Sequence, residues 1–455
     1  MYDQSKPGWA LIAFAVLTTG CQMESLHALR RSSQSLSQQV DPQPGFQPPV
    51  GFTLTIQASA LSVTNGGNVA LNVTNGQGPF AYRIAKGQGA VSAAGVFTAS
   101  IVPGRVIIEV MDSRGERGQA AIGVMPNDTM FGQLYGLNNP NDADIDALEA
   151  WDLQTDCRSI RVGVIDTGMD YTHPELMTNL GLNAGEIAGN GLDDDANGFI
   201  DDIMGWNFVT GTNDPRDDNL HGTHVAGTIG ALGGNGVGVA GICVRASIVP
   251  LKFLDDAGGG DLFDAISAFD YARKINLKVL NNSWGGGGFD NTMLTAIQAL
   301  NTADVLFLAA AGNDGTNNDT VPSFPANYNV PNVVSVAATN NVDAIANFSN
   351  FGATSVDIAA PGVNILSTFP VVATAEMTLA GFATSYEKIS GTSMATPHVA
   401  GAAALVWAYT PTFTMLQVRD ALLNNADTKA TLTGRVVGTR RLNLMRALDP
   451  NYPRP

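Results

Sequence analysis

Three short segments, in chain order, set an Asp, a His and a Ser where each could take part in acyl transfer. An apolar run over 160–165 breaks at Asp166-Thr167-Gly168. It predicts a buried parallel strand ending on a carboxylate at its C-terminal edge, where open α/β sheets place their sites. His221 opens His221-Gly222-Thr223-His224-Val225-Ala226-Gly227, whose small residues predict a closely packed helix with the imidazole at its N-terminal end. One ring nitrogen can be held there by a carboxylate while the other serves as a base. In Gly391-Thr392-Ser393-Met394-Ala395-Thr396-Pro397, glycine supplies a tight turn and Ser393 opens a long apolar helix. Pro397 is expected in that helix's first turn, where a missing N–H costs least. A hydroxyl at such a place has free backbone N–H groups beside it for a developing oxyanion. A further buried strand is predicted over 305–311, after which the Asn313 amide can donate a second hydrogen bond to that oxyanion.

Taken singly, an Asp after a strand, a His in a glycine-rich turn or a Ser at a helix start is an ordinary cap or turn residue. The agreement of context and order among all of them is what points to a site. The other histidines read as structural. His224 and His398 lie in apolar helical stretches, His173 precedes Pro174 in a turn, and His27 belongs to the N-terminal region.

At these residues the chain resembles the subtilisin-like serine proteases, whose catalytic residues follow one another in the order Asp, His, Ser. The resemblance extends over 126–450 and includes Pro126-Asn127-Asp128 and Leu134-Tyr135-Gly136-Leu137-Asn138-Asn139, which are similar to the family's opening segment. It implies a serine endopeptidase acting on proteins or peptides. Asp166 would orient, His221 would act as general base and acid, Ser393 as nucleophile and Asn313 as oxyanion donor. It also implies that the backbone of Ser283-Trp284-Gly285 pairs with an extended substrate as an added strand. The first specificity pocket would lie between that segment and Ala310-Ala311-Gly312, with Ser323-Phe324-Pro325 towards its base. None of these segments carries an acidic residue, so apolar or aromatic side chains are expected before the scissile bond. The stretch between Phe369 and Tyr386 is long for a segment just ahead of the nucleophile and has no assigned chemistry. Cys157 and Cys243 precede strands that are parallel neighbours in the family's sheet, which leaves two readings: a disulfide, or two separate buried thiols.

The alternation of strands and helices predicts an α/β domain with a mostly parallel sheet and helices on both faces. Its strongest accessory motif is Asp193-Asp194-Asp195-Ala196-Asn197-Gly198-Phe199-Ile200-Asp201. Oxygen ligands at alternate positions and a glycine at the sharp turn match the start of an EF-hand-like loop, so calcium is expected on Asp193, Asp195, Asn197 and Asp201. Met204 stands where a full EF-hand has its bidentate Glu, so other groups must complete the shell; a solvated acidic loop is the competing reading. A second acidic stretch, 213–219, reads as a weaker cation site or a capped turn.

Ahead of this domain the pattern changes. Alternating segments at 52–56, 69–73, 80–84, 104–110 and 119–124, separated by turn signals such as Asn65-Gly66-Gly67, predict a small all-β sandwich over 47–125. Gly95-Val96-Phe97-Thr98-Ala99 and Val110-Met111-Asp112-Ser113-Arg114-Gly115 resemble bacterial immunoglobulin-like domains. Such a module would either inhibit the following domain or serve as a spacer or tether. Residues 21–46, rich in Ser, Gln and Pro, read as a flexible linker. Residues 9–17 form an apolar stretch after Lys6, too short to span a bilayer and shaped like a signal peptide over 1–20. Gly20-Cys21 resembles a bacterial lipoprotein cleavage box with Cys21 as the lipidated residue, although Thr18 stands where Leu is usual. The alternatives are a simple signal peptide and a start codon placed too early. A secreted or cell-envelope protein is the expectation, with a lipid anchor on Cys21 as one of its forms.

With 455 residues, 45% of them hydrophobic, and 50 glycines, the chain can hold a large, tightly turned core. A formal charge of −17 argues against a nucleic-acid partner. Two rival functions remain: a catalytically inactive protein of the same fold that binds or adheres, and a transferase or ligase using the same acyl-enzyme.

Overall fold

A computed structural model describes residues 53–100 and 102–452. The expected leader, Cys21 and the linker lie outside the described residues.

The larger body is built on a nine-stranded sheet in the order Trp206–Asn207, Ile248–Lys252, Val162–Asp166, Val279–Asn282, Leu306–Ala310, Val333–Thr339, Ile358–Pro361, Arg440–Arg441, Asp427–Thr428. Every pairing but the last is parallel. The five strands from Ile248–Lys252 to Val333–Thr339 are buried at every residue, which is why they read as mostly apolar segments. Successive side chains go to opposite faces. Leu306 and Leu308 join one core with the helices His221–Gly230, Thr392–Tyr409 and Met415–Asn424. Phe307 and Ala309 join the other, under Leu262–Lys274 and Asn291–Thr302. The expected helices on both faces are therefore present.

The order also fixes where a site can form. From Val162–Asp166 the chain steps to Ile248–Lys252 on one side, then crosses to Val279–Asn282 on the other. The strands part at the C-terminal end of Val162–Asp166, the crevice in which open sheets of this kind bind their ligands.

The smaller body is a sandwich of two four-stranded sheets. Their orders are Ile56–Ala58, Asn68–Val73, Val96–Ala99, Gly89–Val91 and Ser62–Thr64, Arg117–Met125, Gly104–Met111, Ala81–Lys86. Val69, Leu71 and Phe97 from one sheet meet Val106, Ile108, Ile122 and Val124 from the other. It touches the larger body through the Arg105–Asp152 ion pair at 3.4 Å and Asn65 Nδ2, which donates to the Gly234 carbonyl at 2.6 Å. A Cβ on Gly104 would lie 2.6 Å from the Trp151 carbonyl oxygen. Asp152 precedes the first central strand, and Gly234 follows the far end of His221–Gly230. These contacts lie at the edge opposite Asp166.

Cys157 and Cys243 form a disulfide, their Cα atoms 5.9 Å apart. No helix among the described residues is long and apolar enough to cross a membrane.

Candidate active site

Asp166 ends its strand fully buried. Its Oδ1 meets His221 Nδ1 at 2.8 Å and accepts the Thr167 N–H at 2.8 Å, while Oδ2 has no hydrogen-bond partner among the described residues. Two glycines allow this approach. Gly168 has φ 113°, and a Cβ on Gly222 would sit 2.1 Å from the Gly168 carbonyl oxygen. His221 is the first residue of its helix, and its ring keeps some exposure. Burial lowers the imidazole pKa, but the Asp166 charge and hydrogen bond, with Asp217 behind them, outweigh it and hold the pKa above its ordinary value.

Asp217 was passed over in the sequence because it sits in an acidic run. The structure makes the run 213–219 a capped turn. Asp217 accepts from Thr223 Oγ1 at 2.6 Å, Thr223 N and Thr167 Oγ1 at 2.9 Å, and Asn219 N at 3.0 Å. Thr167 Oγ1 in turn accepts the Gly222 N–H at 2.9 Å. The Asp166 turn and the His221 helix thus share one brace. His224 and His398 are buried, and burial pushes their pKa values down to about 3 and about 4. His173 is buried too, its Nε2 3.0 Å from the Ser385 carbonyl.

Ser393 is the second residue of Thr392–Tyr409 and is 8% exposed. Its Oγ donates to the Ser283 carbonyl at 2.8 Å rather than to His221. Pro397 corrects the sequence reading: the helix starts at Thr392, so Pro397 lies beyond the first turn. Lacking an N–H, it leaves the Ser393 carbonyl without its intrahelical donor. The Ser283 hydroxyl supplies that bond at 2.8 Å. Ser283 and Ser393 are therefore joined twice.

Asn313 follows Leu306–Ala310. Its Oδ1 accepts from Thr392 N at 2.9 Å and Thr392 Oγ1 at 3.0 Å, which fixes the amide and turns Nδ2 toward Gly391. The Ser393 N–H lies in the first helical turn, where backbone donors have no intrahelical acceptor. The loop is braced from behind by asparagines that sequence reasoning missed. Asn350 Oδ1 accepts the Asp314 and Thr316 N–H groups at 2.9 and 3.1 Å, and Asn318 Nδ2 donates to the Ala311 carbonyl at 2.8 Å. Gly312 has φ 112°, and a Cβ there would meet Asn350 Nδ2 at 2.3 Å.

The expected substrate segments converge. A Cβ on Gly285 would lie 3.8 Å, and one on Gly312 3.2 Å, from Ser323 Oγ. Ala310 ends its strand 4% exposed. The Trp284 ring packs against Phe253 and Phe269, with centroids 4.8 and 6.4 Å apart. What this residue can offer a substrate is its backbone.

In the acidic loop, oxygens of Glu186, Asp193 and Asp195 come within 4.8 Å of one another. Asn197 adjoins them, its Nδ2 3.1 Å from Asp195 Oδ2. Asp201 stands apart from the three-carboxylate group, accepting the Asn190 and Gly191 N–H groups at 3.2 and 2.9 Å. Glu186 was missed because the loop must fold back on itself to bring it near. Its Oε1 accepts the Asp194 and Asp195 N–H groups at 2.9 and 3.1 Å. Hard oxygens with no paired Lys or Arg among the described residues suit a divalent cation. A second buried pair, Asp128 and Glu175, borders the loop 234–239. Asp128 accepts the Gly234 N–H at 2.8 Å and Glu175 the Asn235 side chain at 2.8 Å. Burial, with the Asp128 charge adding to it, pushes Glu175 up to about 7.

The larger body is similar to known proteins. Residues 158–441 match the subtilase family of peptidases. Thermitase of Thermoactinomyces vulgaris is 33% identical over 325 residues, covering 71% of this chain and 99% of thermitase. Subtilisin-like protease 1 of Plasmodium vivax is 34% identical over 308 residues, 64% of this chain but only 47% of that protein. The chain thus spans about half the length of the Plasmodium relatives it matches or less. Among solved structures, a protease from Pseudoalteromonas arctica superposes with a TM-score of 0.57 at 26% identity, covering 71% of this chain and 99% of that one.

Proposed function

The chain belongs to the subtilase family, and from that premise we propose that it is a serine endopeptidase. It hydrolyses peptide bonds through an acyl-enzyme on Ser393, with Asp166 and His221 as base system and Asn313 in the oxyanion hole. The observation that carries this reading is the 2.8 Å contact between His221 Nδ1 and the buried Asp166 carboxylate. It holds the ring so that Nε2 is left for the nucleophile.

Ser393 Oγ exchanges the Ser283 carbonyl for His221 Nε2, gives up its proton there and bonds to the scissile carbonyl carbon. The carbonyl π pair moves onto oxygen, where Asn313 Nδ2 and the Ser393 N–H receive it. His221 passes the proton to the leaving amine as the C–N bond breaks. Water then repeats the sequence, releasing the acid and restoring Ser393. The base must be neutral, so the rate falls as pH drops through the raised pKa of His221. The resting bond of Ser393 to Ser283 is the one feature that favours a non-catalytic binding protein of the same fold.

The extended substrate pairs with the backbone of Ser283, Trp284 and Gly285, and the pocket between this segment and Ala310 to Gly312 takes an apolar or aromatic side chain. Calcium is held by Asp193 and Asp195 with Glu186 and the adjoining Asn197. Its role is structural, neutralising carboxylates and fixing loops. The β-sandwich is a spacer, a reading supported by its contacts at the edge opposite Asp166. Residues 1–20 act as a signal peptide that exports the chain, which is then either released or, where Cys21 takes lipid, tethered to a membrane.

The experiment is incubation of the full chain with a fluorophosphonate probe, mapping of the modified residue and a casein digestion assay. Labelling at Ser393 with digestion is expected, and both vanish in a folded Ser393→Ala variant; labelling that persists there would sink the assignment. Asn313→Ala should lower kcat about 100- to 1000-fold with little change in KM, and a kcat within a few-fold of wild type would remove Asn313 from the oxyanion hole. Removing calcium should lower the thermal midpoint, which calcium restores and magnesium does not; an unchanged midpoint after verified removal would count against a structural ion.

A further inference from the structure

Lys252 is among the largest side chains that folding takes wholly out of water, 2% exposed, and none of the steps above uses it. It ends the strand Ile248–Lys252, paired in register with Asp166 on the neighbouring strand. Burying an ammonium is strongly unfavourable unless each N–H finds an acceptor. Here each does. Nζ donates to the Thr167 carbonyl at 2.7 Å, the Leu254 carbonyl at 2.8 Å and Asp218 Oδ1 at 2.6 Å.

The three acceptors belong to three segments. Thr167 is in the turn after Asp166. Leu254 lies two residues past the end of the Lys252 strand, and the N–H groups of Phe253 and Leu254 hold the Asp166 carbonyl at 3.1 and 3.3 Å. Asp218 is in the loop that delivers His221. Carbonyls at these places could be satisfied by water or a neutral donor, so a buried cation needs a reason beyond filling space. What it adds is a tie between the carboxylate's turn and the imidazole's loop, separate from the Thr167–Asp217 hydrogen bond.

We propose that Lys252 is a positioning residue: its ammonium clamps the Asp166 turn to the loop carrying His221 and so sets the carboxylate–imidazole contact that proton transfer requires. The inference rests on the reading of Asp166 and His221 as the base system.

The charged or titratable groups facing His221 are Asp166 from the strand, Asp217 from the loop and His224 from its own helix. Losing a nearby positive charge would by itself raise the His221 pKa. A loosened Asp166 contact would lower it. The sign separates the two.

The test compares wild type, Lys252→Met, Asp218→Ala and Asp218→Asn in the full chain, reading kcat, KM and the pH dependence of kcat/KM on a peptidyl p-nitroanilide. Thermal midpoints check folding. Lys252→Met is expected to lose about tenfold or more in kcat with KM nearly unchanged, on the order of 1.4 kcal/mol or above, and its acid limb should move to lower pH. Asp218→Ala and Asp218→Asn remove the same charge, but only Asn keeps an acceptor. Ala should therefore lose several-fold in kcat and Asn should stay near wild type. A folded Lys252→Met with unchanged kcat, or with an acid limb that stays or moves up, would overturn the proposal. Should that variant not fold, identical behaviour of the two Asp218 variants would do so instead. Wild-type protein that neither cleaves the substrate nor takes a fluorophosphonate would mean that the base-system reading itself has failed.

Discussion

The bond between the buried Asp166 carboxylate and the His221 imidazole is the constraint on which the rest of the site depends. A carboxylate at zero exposure has lost its hydration, and with Oδ2 unpaired the imidazole and one backbone N–H are its only donors among the described residues. Such an arrangement persists only if the surrounding backbone holds the partners together. The parallel sheet does so by ending Val162–Asp166 where its neighbours diverge. The glycine contact at residues 168 and 222 does so by letting helix and turn come within van der Waals range.

The other half of the site is assembled around the start of Thr392–Tyr409. Pro397 frees the Ser393 carbonyl, Ser283 takes it, and the Ser283 carbonyl receives the Ser393 hydroxyl in return. Thr392 meanwhile fixes Asn313 through two bonds to its amide oxygen. Ser393, Asn313 and the Ser283 segment are therefore positioned by one helix terminus. Their relative placement needs no separate device.

Much of this was legible in the sequence because the site's demands are local. Close approach requires glycine and alanine beside Asp166, His221 and Ser393, and those residues stand next to them in the chain. Fully buried strands leave mostly apolar segments. What was not legible depends on contacts distant in sequence. Lys252 looks like an ordinary strand end until its acceptors at 167, 218 and 254 are seen together. Asp217 is hidden in an acidic run, and Glu186 reaches the acidic loop only because the chain doubles back. Trp284 turns its ring inward to Phe253 and Phe269, which no local pattern announces. In the β-sandwich, the strands Ser62–Thr64 and Gly89–Val91 are too short to show alternation.

The sandwich packs where the central strands begin and leaves their C-terminal edge clear of its contacts. The proposed base is the carboxylate–imidazole pair, and the most direct measurement is the titration of His221 itself. Histidine-selective NMR across the neutral range, with the resonance assigned by His221→Gln, should show the ring titrating above the ordinary imidazole value and falling back in Asp166→Asn. A ring that titrates at or below the ordinary value in the wild type, unmoved by Asp166→Asn, would contradict the account.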